Sequence, residues 1–232
     1  MLVSQAVSKA YILSGLVSRS LNTVSRDQSS DGLDLLNLLM GEINIQPDYI
    51  PYFSLQTMTT VTGQEQYFFE NVAEISTLTY LLNNVRYAVA QDNRDHYFGA
   101  PRAENISSLP FRWYSERVVG GTQVYLYFFP SQELVITLKC KMFLPPVTLD
   151  TDLSTLYDIS YQSYLIYLLV KKICQWNKIS VNPEVLEELK RFQQIMSDMN
   201  PKDLTIRKTF SLSKSESLNY AIVNFSRGFV PG

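Results

Sequence analysis

The chain has 232 residues, of which 46% are hydrophobic, 12% aromatic and 18% charged, with a net charge of −2. A chain of this length buries enough surface to fold without staples. A near-neutral balance with no basic block argues against tight binding to a phosphate backbone. Charge falls below the average of about 25%, while Tyr numbers 15 and Phe 12. Two readings of that richness stay open: an aromatic core, or a surface covered by other subunits, since interfaces favour aromatics over Lys and Glu.

The first segment is helical by period, because Ala6, Ala10, Leu13, Val17, Leu21 and Val24 recur at steps of four and three. SRDQSSDG, 25 to 32, ends it and offers caps for a second helix over about 33–43, LDLLNLLMGEI, which Pro47 and Pro51 stop. From Tyr52 to about Leu144 the period drops toward two. The strand-like runs are SLQTMTTV, QYFFE, STLTYLL, VRYAVAQ, FRWYSERV, TQVYLYFF and LVITLKCKMFL. Turn signals at Thr62-Gly63-Gln64, Asn83-Asn84, Gly120-Gly121 and Pro130-Ser131-Gln132 separate them. Residues 126–146, LYFFPSQELVITLKCKMFLPP, read as a hairpin closed by Pro145-Pro146, which cannot donate to a ladder.

Helical period then returns over 155–179, apolar around most of its circumference and expected to be the central buried helix. Asn182-Pro183-Glu184 opens the last helix with a cap and a proline in the first turn. Its seam is Val185, Leu189, Phe192, Met196 and Met199, suited to packing on the long helix or to a subunit contact. Asn200-Pro201 closes it. The final stretch carries Phe210, Leu212, Leu218, Tyr220, Ile222, Phe225 and Phe229 in an alternating pattern. Lys202, Arg207, Lys208, Lys214 and Arg227 against Asp203 and Glu216 give it a net +3. These seven apolar residues are the candidate partner-binding set, pairing with a neighbour by strand addition or packing back on their own domain.

The order predicts an α+β fold: a helical bundle (1–50 and 147–201) interrupted by an inserted antiparallel β-domain (52–146), with an extended C-terminal arm (202–232). The longest apolar run, Tyr164 to Val170, is seven residues, against the roughly 20 of a membrane span. No signal-peptide core precedes it, so neither signal-directed secretion nor a membrane crossing is expected.

Chemistry-bearing residues are sparse. Cys140 and Cys174 sit among apolar neighbours and read as small buried hydrophobes, as suits a reducing compartment. His96 is the sole histidine, beside Asp92 and Asp95. It lacks the GxSxG context of a nucleophilic serine and reads as a surface or turn residue. One His and two separated Cys do not make a zinc site, and no phosphate-cradling glycine motif occurs. No catalytic residue, metal or cofactor is expected. Asp150, Asp152 and Asp158 cluster before the long helix and Glu184, Glu187 and Glu188 open the last one. Both groups read as caps and first-turn charges, with carboxylate-dependent glycan hydrolysis as the competing chemistry.

Read together, these stretches resemble the head-to-tail adaptor (tail accessory, or head-completion) proteins of short-tailed bacteriophages. LDLLNLLMGEI resembles the family's second helix, VTGQEQYFF its Thr-Gly-Gln turn between strands, and YAVAQDNRDHYF its strand leading into a polar segment. LPFRWYSERVVGGTQVYLYFFPSQELVITLKCKMFLPPVTLDTD is the most telling part, followed by YDISYQSYLIYLLVKKICQWNKI at the place of the family's long helix. The resemblance spans about residues 30–200. FFPSQE has one proline where two are common, and 202–232 has no counterpart. The resemblance implies a structural protein rather than an enzyme. Such proteins assemble in the host cytoplasm into a ring, commonly twelve-fold, beneath the portal at the head–tail junction of the virion. They extend the DNA channel, let genomic DNA pass without specific binding, and carry other tail proteins. The same fold also serves as a tail-completion or lower tail ring, and a virion-associated glycan hydrolase is the alternative from another class.

Overall fold

In the computed structural model, which describes residues 1–20, 23–99 and 106–199, the first helix is shorter than its apolar period. Helix α1 (Val3–Leu13) buries Val3, Ala6, Val7 and Ala10. It ends before Gly15, whose φ of +79° takes the chain out of the helix. Val17 is then buried from a loop. Helix α2 (Arg26–Ile45) begins earlier than expected, since the supposed punctuation is its first two turns. Ser25 Oγ accepts from Gln28 N at 3.1 Å, and Gln28 Oε1 accepts from Ser25 N at 3.0 Å, a reciprocal capping box. Gly32 lets α2 approach α1, because a Cβ there would lie 2.5 Å from Val7 Cγ1.

A short 3-10 turn (Pro47–Tyr49) leads into β1 (Ser54–Thr59), β2 (Gln66–Glu70), β3 (Val72–Leu82) and β4 (Val85–Gln91). Helix α3 (Arg94–Gly99) follows, then β5 (Ser107–Ser108), β6 (Arg112–Val118), β7 (Gly121–Tyr127), β8 (Phe129–Pro130) and β9 (Val135–Met142). A second 3-10 turn (Leu153–Thr155) precedes α4 (Ile159–Trp176) and α5 (Pro183–Met199).

The seven longer strands form one curled sheet in the order β1-β9-β3-β4-β6-β7-β2. The inside of the curl is filled by Trp113, Tyr67, Val124, Leu126, Ile136 and Leu138, all buried. Asn83 and Asn84, both at positive φ, make the tight β3–β4 turn that Leu82 and Val85 close. Asn71, at φ +57°, bends the chain between β2 and β3. Its N–H donates to Gly120 O at 2.8 Å and its carbonyl accepts from Phe143 N at 2.7 Å. Thr122 Oγ1 donates to Val72 O at 2.8 Å beside that corner.

Two sequence expectations are corrected here. The molecule is not a helical bundle with an inserted antiparallel β-domain: its main feature is the large seven-stranded sheet, accompanied among the described residues by five α-helices. The sheet is also mixed, since β4 and β6 run parallel, Ala90 opposite Arg112 and Gln91 opposite Trp113. Sheet and helices interlock. Ala73 of β3 joins the core of the helices, Lys141 Nζ of β9 donates to Pro47 O at 2.8 Å, and Arg117 of β6 donates to Asn44 O. Met1–Asn200 accordingly forms one compact unit. The hairpin expected over 126–146 does not form either. β7 pairs with β6 and β2, whereas β9 pairs with β1 and β3. Period two says which face a strand buries, but it leaves the partner open.

The double proline has its explanation at the exit from β9. Leu144 and Val147, on either side of it, are buried, and their backbone groups need partners away from a ladder. Asn44 of α2 accepts from Leu144 N at 2.7 Å and donates to Leu144 O at 3.1 Å. Asn37 does the same for Val147, at 2.9 and 3.1 Å. Pro145 and Pro146 between them have no N–H to satisfy. Two asparagines one heptad apart thus tie the chain to α2 as a strand would. The expected arm and its candidate residues Phe210, Leu212, Leu218, Tyr220, Ile222, Phe225 and Phe229 lie outside the described residues.

Candidate functional site

Three of the carboxylates singled out by sequence, Asp152, Asp158 and Glu188, are bound into the fold. Asp152 Oδ1 accepts from Ser154 N at 2.9 Å, Ser154 Oγ at 2.8 Å and the Met1 amino group at 2.6 Å. The amino group, then the Ser154 donors, hold its carboxyl down at about 2. Asp158 caps α4, with Oδ1 accepting from Tyr161 N at 2.8 Å and Oδ2 from Tyr52 Oη at 3.0 Å. In α5, Asn182 Oδ1 accepts from Glu184 N at 3.0 Å, the expected cap, and Glu188 pairs with Arg191 at 3.1 Å. Val185, Leu189, Phe192 and Met196 of its seam are buried in the core of the helices. Cys140 and Cys174 are free and buried, and burial raises both thiols.

His96 is held in a polar cluster. Its Nδ1 lies 2.7 Å from Asp92 Oδ2, and Arg112 Nη1 reaches the same carboxylate at 3.4 Å. Asn93 Oδ1 accepts from His96 N at 2.7 Å and starts α3, a helix too short to show a period in the sequence. Tyr97 and Phe98 from this helix pack on Tyr114 and Tyr125 across the outer face of β6 and β7, with centroids 5.5–6.0 Å apart. Tyr125 Oη donates to Glu116 at 2.5 Å, which with partial burial pushes the phenol up to about 12. No group of three His, Cys, Asp or Glu among the described residues is placed to hold a metal. No helix among them is long and apolar enough to cross a membrane.

A tyrosine chain runs through the core of the helices. Tyr157, Tyr161 and Tyr164 recur along α4 and its entry, joined by Tyr52 and Tyr49, with neighbouring centroids 5.3–6.5 Å apart. Desolvation raises all three α4-side phenols and Tyr52, with Tyr52 and Tyr157 at about 12. A phenol whose pKa is raised by folding stabilises the fold below the unfolded value of about 10, and that contribution is lost as pH climbs through the folded value. Titration followed at the phenolate band should therefore leave these four tyrosines un-ionised through pH 11. They should then ionise together as the chain unfolds. Smooth ionisation of every tyrosine near pH 10 without unfolding would contradict this packing.

A groove of about 390 Å³ lies between the C-terminal half of α2 and α4, lined by Tyr49, Tyr164 and Leu168 among others. Glu42, Lys171, Lys172 and Gln175 rim it, and Lys172 Nζ lies 2.6 Å from Glu42 Oε1. Neither a protein-family model nor a curated protein matches this chain. Beside the groove, Leu38, Glu42 and Ile45 follow one another at steps of four and three on α2, hence on one side of it. Leu38 is 58% exposed, Ile45 71%, and Trp176 at the end of α4 66%. Large apolar side chains left this open on rigid helices suit a contact with another protein better than chemistry on a small molecule.

Proposed function

We propose that this chain is a structural virion protein, an adaptor subunit that forms a ring beneath the portal of a tailed phage and carries the DNA channel toward the tail. The observation that carries the reading is the exposed pair Leu38 and Ile45, on either side of the Glu42–Lys172 ion pair, with the adjoining groove. Lateral burial in a ring would remove these side chains from water at about 1.5–3 kcal/mol each. The order of motifs over residues 30–200 supports the same reading. The use of Asp152 and Asp158 as caps is in keeping with a structural role for these two carboxylates. A head-to-tail contact closes into a ring when its rotation closes, and a low charge content suits subunits that share large interfaces.

The test is binding to the portal protein encoded by the same genome, measured for the full chain and for a chain ending at residue 201. The full chain should bind. The shortened chain should keep its melting temperature and bind about tenfold more weakly or worse, a loss of at least 1.4 kcal/mol, because it lacks Phe210, Leu212, Leu218, Tyr220, Ile222, Phe225 and Phe229. No binding by the full chain would remove the adaptor reading and favour a ring lower in the tail. Undiminished binding by the shortened chain would remove the arm from it.

A further inference from the structure

The groove between α2 and α4 is apolar in its middle and offers hydrogen-bond donors toward its ends. Tyr164, Leu168, Lys171 and Gln175 line it from α4 at steps of four, three and four, hence along one stripe of that helix. Leu39 and Ile43 line it from α2. Two of the donors have no partner within the chain. Lys171 has no carboxylate among the described residues, whereas its neighbour Lys172 is already paired with Glu42. The Tyr164 hydroxyl makes no hydrogen bond among them either, although Tyr164 is only 2% exposed. The hydroxyls of Tyr157 and Tyr161 are also without partners but are sealed in the core. That of Tyr164 is not sealed, and the little of this residue left open lines the groove. Burial raises its phenol, which therefore stays protonated as a donor, and a donor this deep is costly without an acceptor.

We infer that this groove binds an elongated monocarboxylate, an apolar chain with its carboxylate on Lys171 and Gln175 and a neutral oxygen at its far end accepting from Tyr164. Spacing sets the shape. Tyr164 and Lys171 are seven residues apart on α4, about 10 Å along the axis, so a single ligand meets both only as an extended chain. Leu168 lies between them in sequence and on the same stripe, and with Leu39 and Ile43 it gives the body of the chain an apolar wall. Charge sets the direction. The carboxylate goes to Lys171 because Lys172 is taken by Glu42, and Glu42 on the α2 rim disfavours a second negative charge. The far end is therefore a hydroxyl or a carbonyl. A groove of about 390 Å³ is of the size of small-molecule sites, about 300–1,000 Å³, which likewise combine apolar walls with a few placed polar groups. This site goes beyond the ring reading and stands whether or not a ring forms.

The test is calorimetric titration of the full-length chain with ω-hydroxyoctanoate, octanoate and octanol. The first should bind once per chain. Octanoate should bind about tenfold more weakly, for want of the Tyr164 contact, and octanol about tenfold more weakly again, for want of the charge on Lys171. Lys171→Gln should bring octanoate down to the affinity of octanol. Tyr164→Phe, which keeps the ring, should erase the gap between ω-hydroxyoctanoate and octanoate. Lys178→Gln, outside the groove lining, should change none of the three. No binding of ω-hydroxyoctanoate by the unaltered chain would overturn the site. Equal affinity for octanoate and octanol would overturn the carboxylate assignment, and this comparison needs no variant to fold. A gap that survives Tyr164→Phe would overturn the placement of the far end.

Discussion

Gly121→Ala should destabilise the protein by about 3 kcal/mol or more, at the upper end of overpacking costs, and lower its melting temperature by roughly 6–12 °C. The reason is space, since the backbone at Gly121 is not among the positive-φ residues. Gly121 opposes Glu70 where β7 meets β2. A Cβ there would fall 2.1 Å from Phe69 O and 3.1 Å from Glu70 Cα. Those are backbone atoms, so no side chain can rotate away, and the strands must separate at the corner that Asn71 and Thr122 pin. The same change at Gly41 in α2 is the matched control, because nothing lies within 4 Å of its position. There alanine should stabilise by about 0.5–1 kcal/mol, as an interior helical glycine is replaced. Equal effects at both sites, measured by thermal unfolding, would contradict the packing at the β2–β7 corner.

The double substitution Asn37→Ala with Asn44→Ala should cost about 3 kcal/mol, with each single change near half of that. Each asparagine satisfies one N–H and one carbonyl of a buried residue, and leaving such groups unmatched costs about 1–3 kcal/mol. Alanine is the better helix former by up to about 0.7 kcal/mol, which offsets part of the loss at each site. The sites are seven residues apart, about 10 Å along the helix, and share no partner, so their effects should add. Urea unfolding provides the check. A midpoint unchanged in the double variant would mean that the exit from β9 is held by Leu144 and Val147 packing alone. A loss far above the sum would mean that the two ties release the segment together.

What could be read from the sequence, and what could not, divides along physical lines. All seven longer strands were marked by period two and by turn residues, and Asn83-Asn84 located its turn because two consecutive positive-φ positions favour that pair. The start of β3 was missed. Register shifts between Val72 and Glu74 and between Ile75 and Thr77 break the alternation there, leaving adjacent Val72 and Ala73 both buried. The first turns of α2 were misread because Ser and Asp mark both turns and helix caps. Ser25 with Gln28 three positions on was the available signal. The architecture was out of reach of such signals. Ser54 pairs with Cys140 and Phe69 with Thr122, and nothing local in either run encodes a partner that far along the chain. For the site, the caps at Asp158 and Asn182 were legible. Asn37 and Asn44 were not, since on an amphipathic helix they look like ordinary solvent-facing residues. The exposed pair Leu38 and Ile45 was likewise hidden in LDLLNLLMGEINI, where every leucine looks equally fit for a core.

The most direct test of the adaptor reading is the native mass of the purified full-length chain, alone and mixed with portal from the same genome, with negative-stain images of the same samples. The reading predicts a closed ring of this chain, matched in symmetry to the portal, that appears on mixing. A chain that stays monomeric and leaves the portal's mass unchanged would contradict it.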